Sequence, residues 1–315
     1  MFHSIHWSFS ISISLKTFQS VNVPLSLFSI FMDIFFIFCL SPVSEQQRLK
    51  PPLLVLLGSL VGCNTALHFF TLLFVHSDFA NSLSETDSYS FYYFTAQCLL
   101  FTMRVSITSC LWLNVFYYCQ IVPARHPFLI MLKRNIRLFV YSALIIDKFF
   151  FLEEFIVYIA SYLIRLYRKP EIYNSTYTNM VTNALIVDIW LRLVYFFFSV
   201  CMMLASGCAT ISYLRRHMRN MEKSSRSSAR LQSQLRVTIT GIIQTLLYLL
   251  CSVWLILDDV AFYLTTADFD QKAYIFYTVI SLYSFGTNIN LGVGQTVFRE
   301  QAILIWQKLF GSFLD

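Results

Sequence analysis

Hydrophobic residues fall into seven long stretches separated by short polar segments. The stretches are 21–40, 53–75, 91–122, 136–164, 184–214, 237–264 and 273–293. Each is long enough for a helix to cross a hydrocarbon core of roughly 30 Å, which takes about 20 residues. None alternates like a barrel strand, and lipid offers the backbone no hydrogen-bond partner, so helices are expected. The pattern predicts an all-α membrane protein with a bundle of seven transmembrane helices.

Composition supports a single membrane bundle with little chain outside it. Of the 315 residues, 57% are hydrophobic and 13% are charged, whereas soluble domains have roughly 25% charged residues. No internal repeat is visible. The predicted organisation is an extracellular N-terminus over 1–20, a seven-helix bundle over 21–297, and a cytoplasmic tail over 298–315 that includes a short amphipathic helix.

Basic residues concentrate in alternate connecting segments and so predict an orientation. Most of the 23 lysines and arginines lie in the segments after the first, third and fifth stretches and in the tail. Cytoplasmic loops carry such an excess, so the N-terminus is expected outside and the C-terminus in the cytosol of a multi-pass plasma-membrane protein. The net charge of +6 then indicates no nucleic-acid partner, and the basic segment 215–236 is expected beside anionic membrane lipids.

Two features of the segment 165–183 bear on this topology. Asn174-Ser175-Thr176 is the one glycosylation acceptor pattern in the sequence, and the charge pattern places it outside, so Asn174 is expected to carry a glycan. The segment holds none of the eight cysteines, so no disulfide can tie it to the third stretch. The largest class of seven-helix receptors usually has that disulfide, and this observation argues against it.

Two signatures of that largest class are also missing. Where it has an acid-Arg-Tyr triplet after the third helix, this chain reads Phe116-Tyr117-Tyr118-Cys119. Where it has Asn-Pro-x-x-Tyr in the seventh helix, this chain reads Asn288-Ile289-Asn290-Leu291.

Three short runs instead resemble the type 2 (bitter) taste receptors. The first run is Val115-Phe116-Tyr117, Ile121, His126-Pro127-Phe128 and Leu132-Lys133. The second is Ser212-x-Leu214 with His217 and Met221, and the third is Gly294-Gln295-Thr296 with Phe298-Arg299, Gln301 and Trp306. The chain departs from the family in its first stretch, which lacks the family's Gly-Asn pair and contains Val23-Pro24 and Asp33, and at Gln295, where the family has Asn. The related vomeronasal type 1 receptors are the alternative chemosensory family.

The resemblance implies a G-protein-coupled receptor that detects small bitter-type compounds. A small-molecule agonist and a gustducin-like heterotrimeric G protein are then the expected partners. The residues that the resemblance assigns to G-protein coupling are Tyr117, His126, Lys133 and His217.

Polar and aromatic residues in the outer half of the bundle are the candidates for agonist binding, because pockets between helices combine apolar walls with a few polar groups. They are Gln97, Phe101, Arg104, Asp188, Arg192, Asp259, Phe262, Tyr274, Tyr277 and Ser281. Charges inside a membrane need partners. Counting residues from the helix ends predicts an ion pair between Arg104 and Asp147. Asp188 and Arg192 are four residues apart and could pair with each other.

No cofactor, metal site or enzyme activity is predicted. The sequence lacks His-Glu-x-x-His spacing, a Gly-x-Ser-x-Gly elbow and a phosphate-binding glycine-rich loop. A secondary transporter or channel is the alternative from another class of protein, although the odd number of stretches and the lack of a repeat count against it.

Overall fold

Helices make up nearly all of the described chain. The computed structural model describes residues 13–41, 50–83, 89–123, 127–167, 175–221, 228–265 and 273–310. No strand occurs within these ranges. Their helices are α1 (Leu15–Leu40), α2 (Pro51–Leu83), α3 (Tyr89–Ile121), α4 (Pro127–Arg134), α5 (Ile136–Tyr167), α6 (Ser175–Met221), α7 (Ser228–Thr265), α8 (Tyr274–Gly294) and α9 (Thr296–Phe310).

Five of the described helices are long and apolar enough to cross a membrane. They are α1, α2, α3, α6 and α7, through the segments Leu15–Leu40, Pro51–Phe79, Phe94–Ile121, Leu193–Arg219 and Gln234–Leu257. Large apolar side chains such as Phe31 and Leu138 are 70% exposed on the outside of the bundle, a surface suited to lipid. The prediction of an all-α protein is confirmed, and these helices indicate a multi-pass membrane protein.

The other two predicted stretches lie in α5 and α8, which are long enough but more polar. The α5 helix carries Asp147, Lys148, Glu153 and Glu154 within two turns. Polar residues of α8, among them Ser281 and Asn288, are fully buried. Composition alone therefore does not identify α5 or α8 as a transmembrane helix. The polar side chains of α8, however, are buried inside the bundle.

Several helices begin or end outside the predicted stretches. The α1 helix begins at Leu15, because the Ser14 hydroxyl caps it by accepting from the Thr17 amide at 3.2 Å. The α6 helix has 47 residues, about 70 Å at the helical rise, so it extends well beyond a membrane. It ends at Met221, and α7 begins at Ser228. The segment 215–236 is predicted to be a loop, but its described parts are therefore helical. Arginine, lysine, leucine and glutamine favour such extensions.

A short helix, α4, replaces part of the predicted connection after α3. Pro127 occupies its first position, where the missing amide hydrogen costs nothing. Lys133 and Arg134 lie in its last turn and favour the negative end of the helix dipole.

The α3 helix is the centre of the bundle. In an apolar 18-residue window of α3, 72% of the residues are buried, compared with 22% in the corresponding window of α1. It packs against α2, α5, α6 and α7, while α1 packs against α2, α8 and α9. Side chains on α3 therefore contact most other parts of the described bundle.

The predicted ion pair between Arg104 and Asp147 is wrong. Asp147 Oδ2 instead accepts a hydrogen bond from Trp112 Nε1 at 2.8 Å, and the Arg104 guanidinium lies 6.0 Å from the centre of the Phe151 ring. Arg104 and Trp112 are two turns apart on α3, about 12 Å along its axis. Counting from helix ends assumed that α3 and α5 begin at matching depths, whereas packing places Asp147 level with Trp112.

We expect Trp112→Phe to lower the thermal stability of the purified protein by about 1 to 3 kcal/mol, because the half-buried Asp147 carboxylate loses its donor. The matched control is Trp190→Phe, since Trp190 is 63% exposed on α6 and should tolerate the change. Adding Asp147→Asn to Trp112→Phe should recover part of the loss. Equal melting temperatures for the two single variants would show that this hydrogen bond contributes nothing.

Candidate ligand and coupling sites

The three predicted agonist residues of α8 are packed into the interface of α1, α2 and α8. Tyr274 is 1% exposed; its ring stacks on Phe18 with centroids 4.6 Å apart, and its hydroxyl donates to Asp78. The Tyr277 ring lies 3.8 Å from that of Phe74. These contacts fix α8 against its neighbours and leave the two tyrosines little surface for a ligand.

Ser281 continues this buried row one turn further along α8. Its hydroxyl oxygen lies 3.4 Å from that of Thr71 on α2, and it is fully buried. Like the two tyrosines, it holds helices together.

The candidates on α3 lie in a separate place, on the side that packs against α5. The Phe101 ring is 5.9 Å from that of Phe155, Arg104 lies beside Phe151, and Gln97 is half-buried. The hydrogen bonds and ring contacts described for the α8 group run to α1 and α2, whereas the ring contacts of the α3 group run to α5. The structure therefore divides the predicted agonist residues into two sets.

The remaining candidates fall partly or wholly outside the described residues. The backbone at Asp188 and Arg192 belongs to α6, and that at Asp259 and Phe262 to α7, but their side chains lie outside the described part. Asn174 and His126 lie outside it entirely.

Tyr117, the first predicted coupling residue, connects α3 to α8 at one end of the bundle. Its hydroxyl donates to Gln295 Oε1 at 2.7 Å. Gln295 is the residue between α8 and α9 and is 7% exposed. This hydrogen bond holds the end of α3 against the junction of α8 and α9.

Lys133 and His217 are exposed near the same end. Lys133 closes a shallow depression that is also lined by Tyr118, Cys119, Val122 and Leu129. The His217 ring lies parallel to that of Tyr213, with centroids 5.9 Å apart. The two residues extend from different helices, α4 and α6, and no described contact joins either of them to Tyr117.

A small cavity lined by both apolar and amide side chains lies directly inside the contact between Tyr117 and Gln295. It encloses about 30 Å³, room for one or two water molecules. It lies between α2, α3, α7 and α8, and its lining residues are Leu60, Cys110, Leu113, Asn114, Tyr117, Val237, Thr240, Gly241, Gln244, Thr287, Asn290, Leu291 and Gln295.

Amide side chains form a hydrogen-bond network on the α7 and α8 walls of this cavity. Gln244 Nε2 donates to Thr287 Oγ1 at 2.8 Å and to Tyr283 OH at 3.2 Å. Asn290 Nδ2 donates to the Thr240 carbonyl at 2.7 Å and to Gln244 Oε1 at 3.2 Å. The network joins α7 to α8 through side chains, which can change partners without unfolding either helix.

Two glycines allow the close approach of helices around the cavity. A Cβ atom at Gly241 on α7 would overlap the Asn114 side chain of α3, and one at Gly294 on α8 would overlap the Thr240 side chain of α7. A larger residue at Gly294 would press on the body of the Thr240 side chain, whereas one at Gly241 would require the end of the Asn114 side chain to move.

The sequence analysis did not assign Asn114, Thr240, Gln244 and Asn290 to a site. The sequence does contain a signal for such residues. An amide side chain inside an apolar stretch is costly in lipid, so it indicates a contact inside the bundle. Gln244 in the sixth stretch and Asn290 in the seventh meet that criterion. The pattern could not show that they contact each other, because that depends on how α7 and α8 are rotated.

No protein-family model matches this chain, and a search of curated proteins finds no match.

We expect Gly241→Ala to lower the free energy of unfolding by about 1 to 3 kcal/mol, because the added methyl group overlaps Asn114. The melting temperature should fall accordingly. The matched control is Gly62→Ala on α2, where a Cβ meets nothing within 4 Å and alanine favours the helix. Combining Gly241→Ala with Asn114→Ala should restore stability. If Gly241→Ala is as stable as Gly62→Ala, α3 and α7 do not approach as closely as described.

Proposed function

We propose that this protein is a seven-helix G-protein-coupled receptor similar to the bitter taste receptors. In this proposal α5 and α8 also cross the membrane, which makes seven spans with the N-terminus outside and the C-terminus in the cytosol. Support for α8 comes from its contact with α1, where Asn22 Nδ2 donates to Thr278 Oγ1 at 2.8 Å. Support for α5 comes from its packing on α3 through Trp112 and Asp147.

The observation that carries the proposal is the hydrogen bond between Tyr117 and Gln295. Tyr117 belongs to a run that resembles the taste receptors, and Gln295 takes the place of that family's Asn in another run. The contact closes the bundle at the end proposed to face the cytosol. The small cavity with the amide network on its walls lies directly inside it. A receptor needs a contact that is made at rest and broken in the active state, and this contact has suitable chemistry.

The proposed mechanism is a shift between a closed and an open arrangement of α3, α7 and α8. Opening breaks the hydrogen bond between Tyr117 and Gln295 and exchanges partners in the amide network. An agonist drives it by binding the open arrangement more tightly, and a difference of about 1 to 3 kcal/mol gives roughly 5- to 150-fold coupling.

The proposed agonist site is on the α3 side of the outer bundle. Gln97, Phe101 and Arg104 combine an amide, an aromatic ring and a cation on one helix, next to α5. The predicted residues of α6 and α7 complete the proposed site. The buried Tyr274, Tyr277 and Ser281 hold α8 in place instead of contacting the agonist.

The proposed G-protein surface combines Lys133 and His217 with the basic end of α6. Arg215, Arg216 and Arg219 are exposed there, on a helix that continues beyond its apolar segment. Such a positive surface suits both the anionic inner leaflet and acidic residues of a partner.

The direct test is a calcium response in cells that carry the chain and a promiscuous chimeric G protein. Application of a bitter-compound panel should produce transient responses that cells without the chain lack. A current or tracer flux through the purified protein, with no dependence on G protein, would instead support the transporter or channel. Silence across the panel in surface-expressing cells would count against the bitter-type ligand.

We expect Gln295→Leu to raise signalling without agonist about fivefold, because losing one hydrogen bond of about 1 kcal/mol favours the open arrangement by that factor. The matched control is Gln120→Leu, which removes a solvent-exposed hydrogen bond from Lys50 to α3 and should leave signalling without agonist unchanged. Inositol phosphate accumulation, normalised to surface expression, measures both. Equal signalling in the two variants would show that the contact does not hold the receptor closed.

A further inference from the structure

A positively charged side chain lies on the outer surface of α5. Lys148 is exposed, and Ile145 and Leu152 beside it are 54% and 39% exposed. Residues three and four apart share a helix face, so the lysine lies among apolar side chains on the outside of the bundle. Lys148 therefore faces the surroundings of the protein instead of its interior.

The depth of Lys148 follows from its neighbour Asp147, which bonds to Trp112 of α3. Trp112 lies nine residues before Ile121, the end of α3, and 18 residues after Phe94, where its apolar segment begins. At the helical rise these separations are about 14 Å and 27 Å. The four-carbon stem of a lysine is much shorter than either distance. In a membrane, the ammonium group of Lys148 therefore lies in the hydrocarbon region.

Within the described residues no side chain forms a hydrogen bond or ion pair with Lys148. The carboxylate of Asp147 accepts from Trp112 instead. Glu153 and Glu154 follow five and six residues later on α5, whereas side chains meet along a helix at spacings of three and four. Charged groups inside a membrane are almost always paired, so the exposed position of Lys148 indicates a partner outside this part of the chain.

Two glycines form an open surface on α2 next to Lys148. Gly58 and Gly62 are exposed, and a Cβ atom at either position would meet nothing within 4 Å. Lys148 is close enough to Cys63, the residue after Gly62, for an electrostatic interaction. Helices α2 and α5 both pack against α3, so a groove between them is open to the outside. Two glycines four residues apart allow another helix to approach closely in a membrane.

We propose that this groove between α2 and α5 binds a transmembrane helix of another protein, one that carries an aspartate or glutamate near the middle of the membrane. The carboxylate pairs with Lys148 while the helix packs on Gly58 and Gly62. Lipid chains can fill the groove, but they offer the lysine neither a negative charge nor a hydrogen-bond acceptor. The inference rests on the proposed crossing of the membrane by α5, and it requires neither the agonist nor the G protein.

The charge of Lys148 argues against a second copy of this chain as the occupant. Two copies in one membrane have the same orientation, so equivalent residues lie at equal depth. A two-fold contact through this face would bring the same surface of each copy together. It would place one Lys148 near the other, and like charges repel strongly where the dielectric constant is low.

The test uses a synthetic transmembrane peptide of leucine and alanine with one central glutamate, and matched peptides with glutamine or lysine at that place. Labelled peptide and labelled full-length protein are combined in phosphatidylcholine vesicles, and energy transfer between them is measured. The glutamate peptide should reach half-maximal transfer at about a fivefold lower concentration in the membrane than the glutamine peptide, the ratio expected of one polar contact between membrane helices.

Variants of the lysine test the charge pairing. Lys148→Met should remove the preference for glutamate, and Lys148→Glu should reverse it in favour of the lysine peptide. The matched control Arg137→Met removes an exposed cation near the start of the same helix and should retain the preference. Lys148→Met should melt at or above the temperature of the unmodified protein, because the lysine has no partner among the described residues.

A variant of the glycine surface tests the helix packing. Gly62→Leu should weaken binding of the glutamate peptide at least threefold without lowering the melting temperature, because the new side chain extends into open space. The matched control Ala209→Leu enlarges an exposed residue of α6 and should leave binding unchanged.

Four results would overturn the proposal. They are equal binding of the glutamate and glutamine peptides, a preference that survives in Lys148→Met, a melting temperature of Lys148→Met well below that of the unmodified protein, and binding that is unchanged in Gly62→Leu. Energy transfer between copies of the protein without peptide, lost in Lys148→Met, would assign the groove to a second copy and also overturn it.

A cysteine at position 148 separates failure of this inference from failure of the proposed function. Rapid labelling of Lys148→Cys by a membrane-impermeant maleimide, beyond that of the unmodified protein, would show that this part of α5 lies in water. Both the seven-span receptor and the groove would then be wrong. Protection from the reagent without any preference among the peptides would contradict the groove alone.

Discussion

A lipid bilayer offers polar groups no partner, and this constraint arranges the polar side chains of the bundle. Fully buried polar residues of α1, α2, α3 and α8 face one another, as Asn64, Ser106 and Asn288 do in one hydrogen-bonded chain. Apolar side chains such as Phe31 cover the outside. Polar contacts therefore specify how these helices are rotated, while apolar surface only determines that they lie in a membrane.

The α3 helix connects the regions to which function is assigned. Its N-terminal half carries the α3 candidates for agonist binding, its middle bonds to α2 through Ser106 and to α5 through Trp112, and its C-terminal end bonds to Gln295 through Tyr117. In the proposed mechanism, α3 moves as a rigid helix and so transmits a change of packing from one end to the other. The proposed receptor mechanism depends on this continuity.

Stacked aromatic rings and hydrogen-bonded amides occupy different parts of this bundle. Stacked rings such as Phe18 with Tyr274 and Phe36 with Phe298 bury large apolar area and fix α1 to α8 and α9. The amide network of Gln244 and Asn290 instead surrounds a cavity. Side-chain amides can exchange one partner for another or for water, so this end of the bundle is better suited to rearrangement.

The sequence by itself determined that the protein is helical and lies in a membrane, because apolar length is a property of each stretch alone. It could not show that Asp147 bonds to Trp112 instead of Arg104, or that Tyr274 and Tyr277 are packed away from Phe101. Those outcomes depend on the depth and rotation of each helix relative to its neighbours. Packing of side chains from distant parts of the chain decides both, and no local pattern records them.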